Sequence, residues 1–315
     1  MAYRLKSGEP VPAGVARVVL EEIEAAAGQL SGSGKAGRDE RIHEARKSLK
    51  KIRGVLRLMR PELDDLYEAE NAHMRDVAGA LSQFRDAGAI IQTFDALVER
   101  YRGELDGGAL ASVRRGLMAR KEHAEKQDGV EKVMRQMAAA IGREREAVEA
   151  WPLASTGFPA IAPGLEKTYR RGRRAMAAVR LSPRAAKYHE WRKRVKDHWY
   201  HVRLLESLWN DAMRAHEKSL KELETCLGED HNLTILREKV LADPASYGAG
   251  AEIGLLLKLI RRHHKELRAN ALALGARIYE EKPRQFTRRM QHLWDAWQPQ
   301  PKLVGRQKHQ AGAAH

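Results

Sequence analysis

An internal repeat is the strongest constraint on how this chain can fold. Moving the sequence along itself from position 43 to position 189, a shift of 146 residues, aligns residues of like charge or apolarity without a gap. The charged and histidine pairs are His43 with His189, Glu44 with Glu190, Arg46 with Arg192, Lys47 with Lys193, Lys50 with Lys196 and Arg57 with Arg203. Apolar positions keep the same register, as in Leu49 with Val195. We therefore expect two copies of one structural unit.

The residue pattern within each copy favours helix. Ala, Leu, Glu, Arg and Lys dominate, apolar residues recur every three or four positions, and no segment alternates with period two. The longest break, 151–164, contains three prolines near mid-chain. We predict an all-α fold of two pseudo-symmetric four-helix bundles. The expected divisions are an N-terminal extension 1–11, a first half 12–150, a linker 151–164, a second half 165–297 and a disordered tail 298–315.

The charge balance indicates the class of partner. The chain has 57 Lys and Arg against 42 Asp and Glu, a net charge of +15, and such a surface attracts polyanions. Because the bases lie inside periodic segments, we expect folded basic helices and not a disordered basic arm. The single cysteine, Cys226, excludes an intramolecular disulfide. Without an apolar run of signal or membrane-span length, we expect a soluble cytoplasmic protein.

The repeated basic residues form a stripe on one side of each predicted helix. In the first copy they fall within a sector of about 120°, and the second copy repeats the arrangement. The residues are His43, Arg46, Lys47, Lys50, Arg53 and Arg57, with His189, Arg192, Lys193, Lys196 and Arg203. Like charges stacked over about 21 Å of helix repel each other, so another group should neutralise them. Salt bridges to neighbouring helices are one possibility. Two stripes bordering the core favour a repeating anion, which Arg and Lys suit.

Other basic clusters could extend the same surface. The second-tier candidates in these clusters are Arg120, Arg170, Arg171, Arg173, Arg174, Arg261, Arg262 and Lys265. For each cluster alone, a solvated helix face explains the residues as well as a binding role does.

No catalytic or metal-binding motif is present. The chain has no His-Glu-x-x-His, no nucleophile elbow, no phosphate-binding Gly-rich loop and no dinucleotide fingerprint. We expect a non-enzymatic protein with no metal and no cofactor. Neighbouring bases should disfavour protonated His43 and His189 until an anion binds, so binding should strengthen as the pH falls from about 8 to 6.

The two stripes sit in recognisable motifs. Residues 42–53 and 188–196, preceded in the second copy by residues 168–175, resemble the paired signature of the CHAD family, the conserved histidine α-helical domain. The similarity extends over about Val11 to Trp297. It implies a basic central groove or pore between two bundles, binding of inorganic polyphosphate, and association with polyphosphate granules. On that basis the eleven stripe residues are the predicted polyphosphate ligands, with no membrane association.

The chain departs from the family pattern at a few positions. Asp197 and Trp199 stand where the second copy commonly has bases, and the family's Arg-Asp pair at Arg85 is answered by His231-Asn232. Arg85 and His231 join the second tier. The chain also lacks the Glu-x-Glu-x-Lys motif of the triphosphate-processing domain found in some members.

Two other functions remain open from the sequence. A nucleic acid would also bind a basic groove, although stacking platforms need exposed aromatic residues and only 6% of the chain is aromatic. An interaction scaffold for an acidic protein is the third possibility, and its binding would ignore phosphate chain length.

Overall fold

The computed structural model describes residues 3–32, 37–82, 86–125 and 129–299, and within these residues all regular structure is helical. The predicted all-α fold is confirmed. The helices up to residue 150 are α1 Val11–Ser31, α2 Arg38–Leu58, α3 Arg60–Leu63, α4 Leu66–Ala80, α5 Asp86–Arg100, α6 Ala111–Glu125 and α7 Val130–Glu149. The later helices are α8 Ala162–Leu181, α9 Ala185–Leu204, α10 Asn210–Ala242, α11 Gly250–Ile278 and α12 Pro283–Trp297. None of the described helices combines the length and apolarity needed to cross a bilayer.

Proline and apolar spacing set the helix starts and faces. Pro10 precedes α1 and Pro283 opens α12, where the missing N–H costs no helical hydrogen bond. Along α1, Val11, Val15 and Val18 are all buried, the spacing of one helix face. The helix therefore packs along this face, and it does so against α2 and α7.

The larger hydrophobic core joins helices from both predicted halves. It contains buried residues from α1, α2, α4 and α7 and from α8, α9 and α12. The N-terminal part of α10 and the C-terminal part of α11 also contribute to it. Trp191 of α9 is among the largest fully buried side chains. Part of the predicted extension 1–11 belongs to this core, because Tyr3 and Leu5 are buried. The Leu5 N–H donates to the Leu204 carbonyl at 3.0 Å.

A second core is built from α5, α6, the end of α10 and the start of α11. Phe94 and Val113 of the α5–α6 hairpin pack there with Leu236 and Leu256. The hairpin lies in the predicted first half but packs on helices of the second. At 33 residues, α10 is about 50 Å long and contributes to both cores. The second core brings α5 and α11 beside the basic faces of α2 and α9.

Candidate functional site

The two helices that carry the basic stripes, α2 and α9, contact each other directly. A Cβ atom added at Gly54 of α2 would lie 3.0 Å from the Tyr200 Cβ of α9. Nε2 of the buried His201 ring donates a hydrogen bond to the Gly54 carbonyl at 2.9 Å. Glycine at position 54 allows this close approach. Because position 200 is position 54 plus 146, the helices meet at equivalent positions of the repeat.

A cleft of about 620 Å³ opens where α2 and α9 meet α5, α10 and α11. We call it the central cleft. Its basic lining residues are His43 and Lys50 from α2, Arg100 from α5, Arg192 and Lys196 from α9, Lys221 from α10 and His263 from α11. Four of the eleven predicted ligands, two from each stripe, thus line one cavity. Among the residues that the structure describes, only Glu224 and Glu229 add carboxylates to the lining, so positive charge is in excess there.

Glu224 organises the second-stripe side of the central cleft. The residue is 4% exposed, and its carboxylate forms ion pairs with Arg192 at 3.4 Å, Lys196 at 3.2 Å and Lys221 at 2.9 Å. Burial opposes ionisation of Glu224, but these cations outweigh it and lower its pKa to about 2. Burial lowers the pKa of Lys196, and Glu224 acts against that shift. The carboxylate therefore holds three bases together in a partly dehydrated site.

Two histidines lie beside this group of bases. The His189 and His231 rings are 4.1 Å apart between centroids. Burial, followed by Lys193 and Arg192, lowers the pKa of His189. Burial, His189 and Arg192 lower the pKa of His231 to about 4. Both rings are therefore mainly neutral near pH 7, and an anion would favour their protonation.

Three other predicted ligands lie on the same two helices but outside the lining of the central cleft. Arg46 donates from Nη1 to the Ala78 carbonyl of α4 at 2.7 Å. Lys47 and Lys193 are exposed, and each forms an ion pair with the glutamate three residues before it. Exposed pairs of this kind contribute about 0–1 kcal/mol, so an anion can compete for both lysines.

The side chains of Arg53 and Arg57 lie in an environment different from that of the central cleft. The Arg53 Nε donates to Oδ1 of Asn71 at 3.1 Å, and Arg57 forms an ion pair with Asp197 at 3.1 Å. Burial, and next the charge of Arg57, lowers the pKa of Arg53 to about 10. Asp197 also pairs with Arg194 at 3.3 Å. The aspartate that departs from the family pattern thus neutralises two arginines between α2 and α9.

Arg203 lies beyond the Lys221 end of the central cleft. It forms an ion pair with Glu217 at 3.1 Å, and its guanidinium lies 5.2 Å from the Trp199 ring centroid. Lys221 lies over the same ring at 4.9 Å. Trp199, the other departure from the family pattern, therefore supports two bases as a cation–π surface.

The second-tier residues are scattered. Arg85 lies outside the described residues. Arg170 pairs with Glu166 of its own helix, and Arg120 and Arg262 pair with Asp243 and Glu104. Arg171, Arg173 and Arg174 lie on α8 away from the lining of the central cleft, and burial followed by Arg194 lowers the pKa of Arg171. Arg261 and Lys265 line a separate cleft between α10 and α11.

Sequence reasoning missed several residues of the central cleft, among them Lys221, Arg100 and Glu224. Lys221 could have been found, because position 75, its repeat counterpart (221 minus 146), is also a base, Arg75. Arg100 has Ser246 as its counterpart, so the repeat gives no signal for it. Glu224 is one of several glutamates on α10, and only the packing of α9 against α10 distinguishes it.

Comparison with known proteins agrees with this architecture. The crystal structure of the CHAD domain from the plant Ricinus communis aligns with a TM-score of 0.54 at 15% identity, covering 89% of this chain and 96% of that one. At this identity the likeness concerns the fold alone. No curated protein matches in sequence. The sequence model of the CHAD domain matches residues 18–241, which contain both stripe helices. The chain belongs to the CHAD domain family.

Proposed function

We propose that this protein binds inorganic polyphosphate in the central cleft without acting on it chemically. The observation that carries the proposal is the meeting of both basic stripes in one cavity, with His43 and Lys50 from α2 and Arg192 and Lys196 from α9. A chain of phosphates carries negative charge at every unit, so it can contact bases contributed by several helices at once. Family membership points to the same ligand class.

The charges in the cleft suit an anion that makes many weak contacts. Glu224 keeps Arg192, Lys196 and Lys221 together before any ligand arrives, which reduces the cost of ordering them on binding. Phosphate oxygens can then accept charge-assisted hydrogen bonds from these groups. Lys47 and Lys193, exposed on the two stripe helices, would extend the contacts beyond the cleft. A chain of linked phosphates binds more tightly than separate phosphates, because each contact holds the next phosphate at a high effective concentration near its own basic side chain.

The proposal extends to the location in the cell. A non-enzymatic polyphosphate binder should follow its ligand, so we propose a cytoplasmic protein associated with polyphosphate granules. A fluorescent fusion should form foci that coincide with granules and become diffuse in cells depleted of polyphosphate. Foci that persist after depletion would contradict this location.

Calorimetric titration of the full chain tests the ligand. Long-chain polyphosphate is compared with double-stranded and single-stranded DNA of matched charge at near-physiological salt. We expect tight, saturable binding of polyphosphate and weak binding of both DNAs. Equal affinity for all three would instead make the protein a general polyanion binder, and no binding of any would favour a protein scaffold.

Two matched variants test the location of the binding site. Lys50→Gln/Lys221→Gln removes two charges from the central cleft. Lys132→Gln/Arg135→Gln removes two charges from the exposed surface of α7. We expect the cleft variant to lose at least about tenfold in affinity, because each charge-assisted hydrogen bond contributes about 1.5–3 kcal/mol. The α7 variant should bind as the wild type does. Equal losses would show that net charge, and not the cleft, determines binding.

A further inference from the structure

A second basic cavity lies between α10 and α11, apart from the central cleft. Its volume is about 510 Å³, and we call it the lateral cleft. Its lining residues are Arg237 from α10 and Leu257, Ile260, Arg261, His264, Lys265 and Arg268 from α11. Consecutive helix residues point about 100° apart, and His263 lines the central cleft whereas His264 lines the lateral cleft. One helix thus separates the two cavities.

A buried carboxylate orients the side chains at the floor of the lateral cleft. Asp230 is 2% exposed. It accepts a hydrogen bond from His264 Nδ1 at 2.7 Å and another from Arg268 Nε at 2.6 Å. Burial alone would raise the pKa of Asp230, but these hydrogen bonds outweigh it and keep the pKa below its usual value. Arg268 also lies over the Tyr188 ring, 4.5 Å from its centroid. His264 and Arg268 are therefore fixed in direction by groups behind them.

The rim of the lateral cleft carries bases without carboxylate partners. Arg237, Arg261 and Lys265 are exposed, and among the described residues no ion pair forms with any of them. Arg262, the neighbour of Arg261, contrasts with them because it pairs with Glu104. No carboxylate from the described part of the chain lines this cleft. Arg261 and Lys265 lie one turn apart on α11 and repel each other, and a bound anion would relieve that repulsion.

The dimensions of the lateral cleft favour a short ligand. Arg261 to Lys265 is one helical turn, and Arg261 to Arg268 spans about 10 Å of helix at 1.5 Å per residue. Arg237 faces this segment from α10. Guanidinium groups from two helices can each grip phosphate oxygens in a bidentate manner, with Lys265 as a mobile third charge. Leu257 and Ile260 give the cavity an apolar side, which strengthens these contacts by limiting water.

We propose that the lateral cleft is a second anion site, which binds a short, multiply charged phosphate such as tripolyphosphate. It is formed by residues that do not line the central cleft, so it goes beyond the function proposed above and does not depend on it. Arg261 and Lys265 are the recognition residues at its rim. His264 and Arg268, held by Asp230, are the positioning groups at its floor.

The test titrates tripolyphosphate into the full chain and three variants. Arg261→Gln/Lys265→Gln changes the lateral rim, Lys50→Gln/Lys221→Gln changes the central cleft, and Lys132→Gln/Arg135→Gln is the matched surface control. The rim substitutions replace exposed side chains, and circular dichroism verifies that each variant is folded. We expect the rim variant to bind tripolyphosphate at least tenfold more weakly, and the other two to stay within twofold of the wild type.

A titration of the same variants with long-chain polyphosphate distinguishes this proposal from the one for the central cleft. If the rim variant loses tripolyphosphate but retains most of its affinity for the long chain, the lateral cleft is a site of its own. The proposal is overturned if the rim variant binds tripolyphosphate as the wild type does. It is also overturned if the wild type does not bind tripolyphosphate, or if the central-cleft variant loses it to the same extent. The three overturning results concern tripolyphosphate alone and do not depend on whether long chains bind in the central cleft.

Discussion

Glu224 forms ion pairs with three bases of the central cleft, and we expect it to compete with a bound anion for them. Replacing it by glutamine leaves Arg192, Lys196 and Lys221 close together without their shared carboxylate. We expect Glu224→Gln to lower the free energy of unfolding by about 3 kcal/mol, as is usual when one member of a buried ion-pair group is removed. Polyphosphate should then raise the melting temperature of the variant more than that of the wild type, because it supplies the missing negative charge.

The measurement is the melting temperature with and without long-chain polyphosphate. Glu222→Gln is the matched control, since that side chain is exposed two positions earlier on the same helix. An equal or smaller ligand-induced rise in Glu224→Gln than in the wild type would show that the carboxylate does not compete with the anion.

At the same scale, we expect His189 and His231 to make the proposed binding depend on pH. In the free protein the pKa of His189 lies below its usual value and that of His231 is about 4. A bound polyanion would raise both pKa values, so binding would take up protons and the affinity should increase as the pH falls. The affinity changes over a pH range whose upper end is the pKa of the histidines in the complex and whose lower end is their pKa in the free protein. This range therefore extends below the range of about 8 to 6 that the sequence suggested.

Titrations at pH 7.5 and pH 5.5 measure this effect, with buffers of different ionisation enthalpy to count the protons taken up. His189→Gln/His231→Gln should flatten the dependence, whereas the exposed His292→Gln should leave it as in the wild type. An affinity that is unchanged between the two pH values would place both rings outside the anion's surroundings.

Among the elements, the contact of α8 with α2 depends on one glycine. A Cβ atom at Gly164, in the first turn of α8, would lie 1.8 Å from the Leu58 carbonyl oxygen at the end of α2. This obstacle is backbone, so the helices must separate to admit it. We expect Gly164→Ala to destabilise the protein by about 1–3 kcal/mol. Urea unfolding measures the difference.

Gly142→Ala is the control for that substitution. Gly142 lies in α7 and has no atom within 4 Å of an added Cβ, so alanine should stabilise the helix by about 0.5–1 kcal/mol. If the two variants had the same stability, the close contact between α8 and α2 would not be a constraint on the fold.

For the whole molecule, the sequence predicts the positions of the helices better than it predicts which helices pack against each other. Apolar spacing identifies the buried face of each helix, and the predicted break 151–164 overlaps the connection between α7 and α8. The repeat shift carries the bounds of α2, Arg38–Leu58, onto 184–204, and α9 is Ala185–Leu204. However, Phe94 and Val113 are recognisable only as apolar residues. That they pack on Leu236 and Leu256 in the second core depends on contacts distant in sequence, which periodicity does not encode.

The candidate site shows the same limit. The stripes predict which helix faces are basic, and the duplication of the unit stays a prediction supported by the register of α2 and α9. Which bases share the cavity is decided by acids on other helices. Asp197 pairs with Arg57 outside the lining of the central cleft, and Glu224 gathers Arg192 within it. The sequence marks Asp197 only as a departure from the family pattern, and Glu224 is one of several glutamates on α10, so the division of the stripes between two environments could not be read from it.

The arrangement of charge, and not its total, should govern binding by the whole molecule. Lys50→Glu/Lys221→Glu and Lys302→Glu/Arg306→Glu each change the net charge by four, from +15 to +11. The first pair lines the central cleft, and the second lies in the C-terminal segment outside the described residues. Each phosphate contact that is lost should reduce the slope of log affinity against log salt concentration by about 1. We expect the slope to fall by about 2 in the cleft variant and to change little in the C-terminal variant. In the C-terminal variant, as in the wild type, the affinity should rise with polyphosphate length. Titrations at a series of salt concentrations and chain lengths give both quantities. If the two variants showed the same slope, the protein would attract polyphosphate as a uniformly charged particle, and the meeting of the two stripes would have no part in binding.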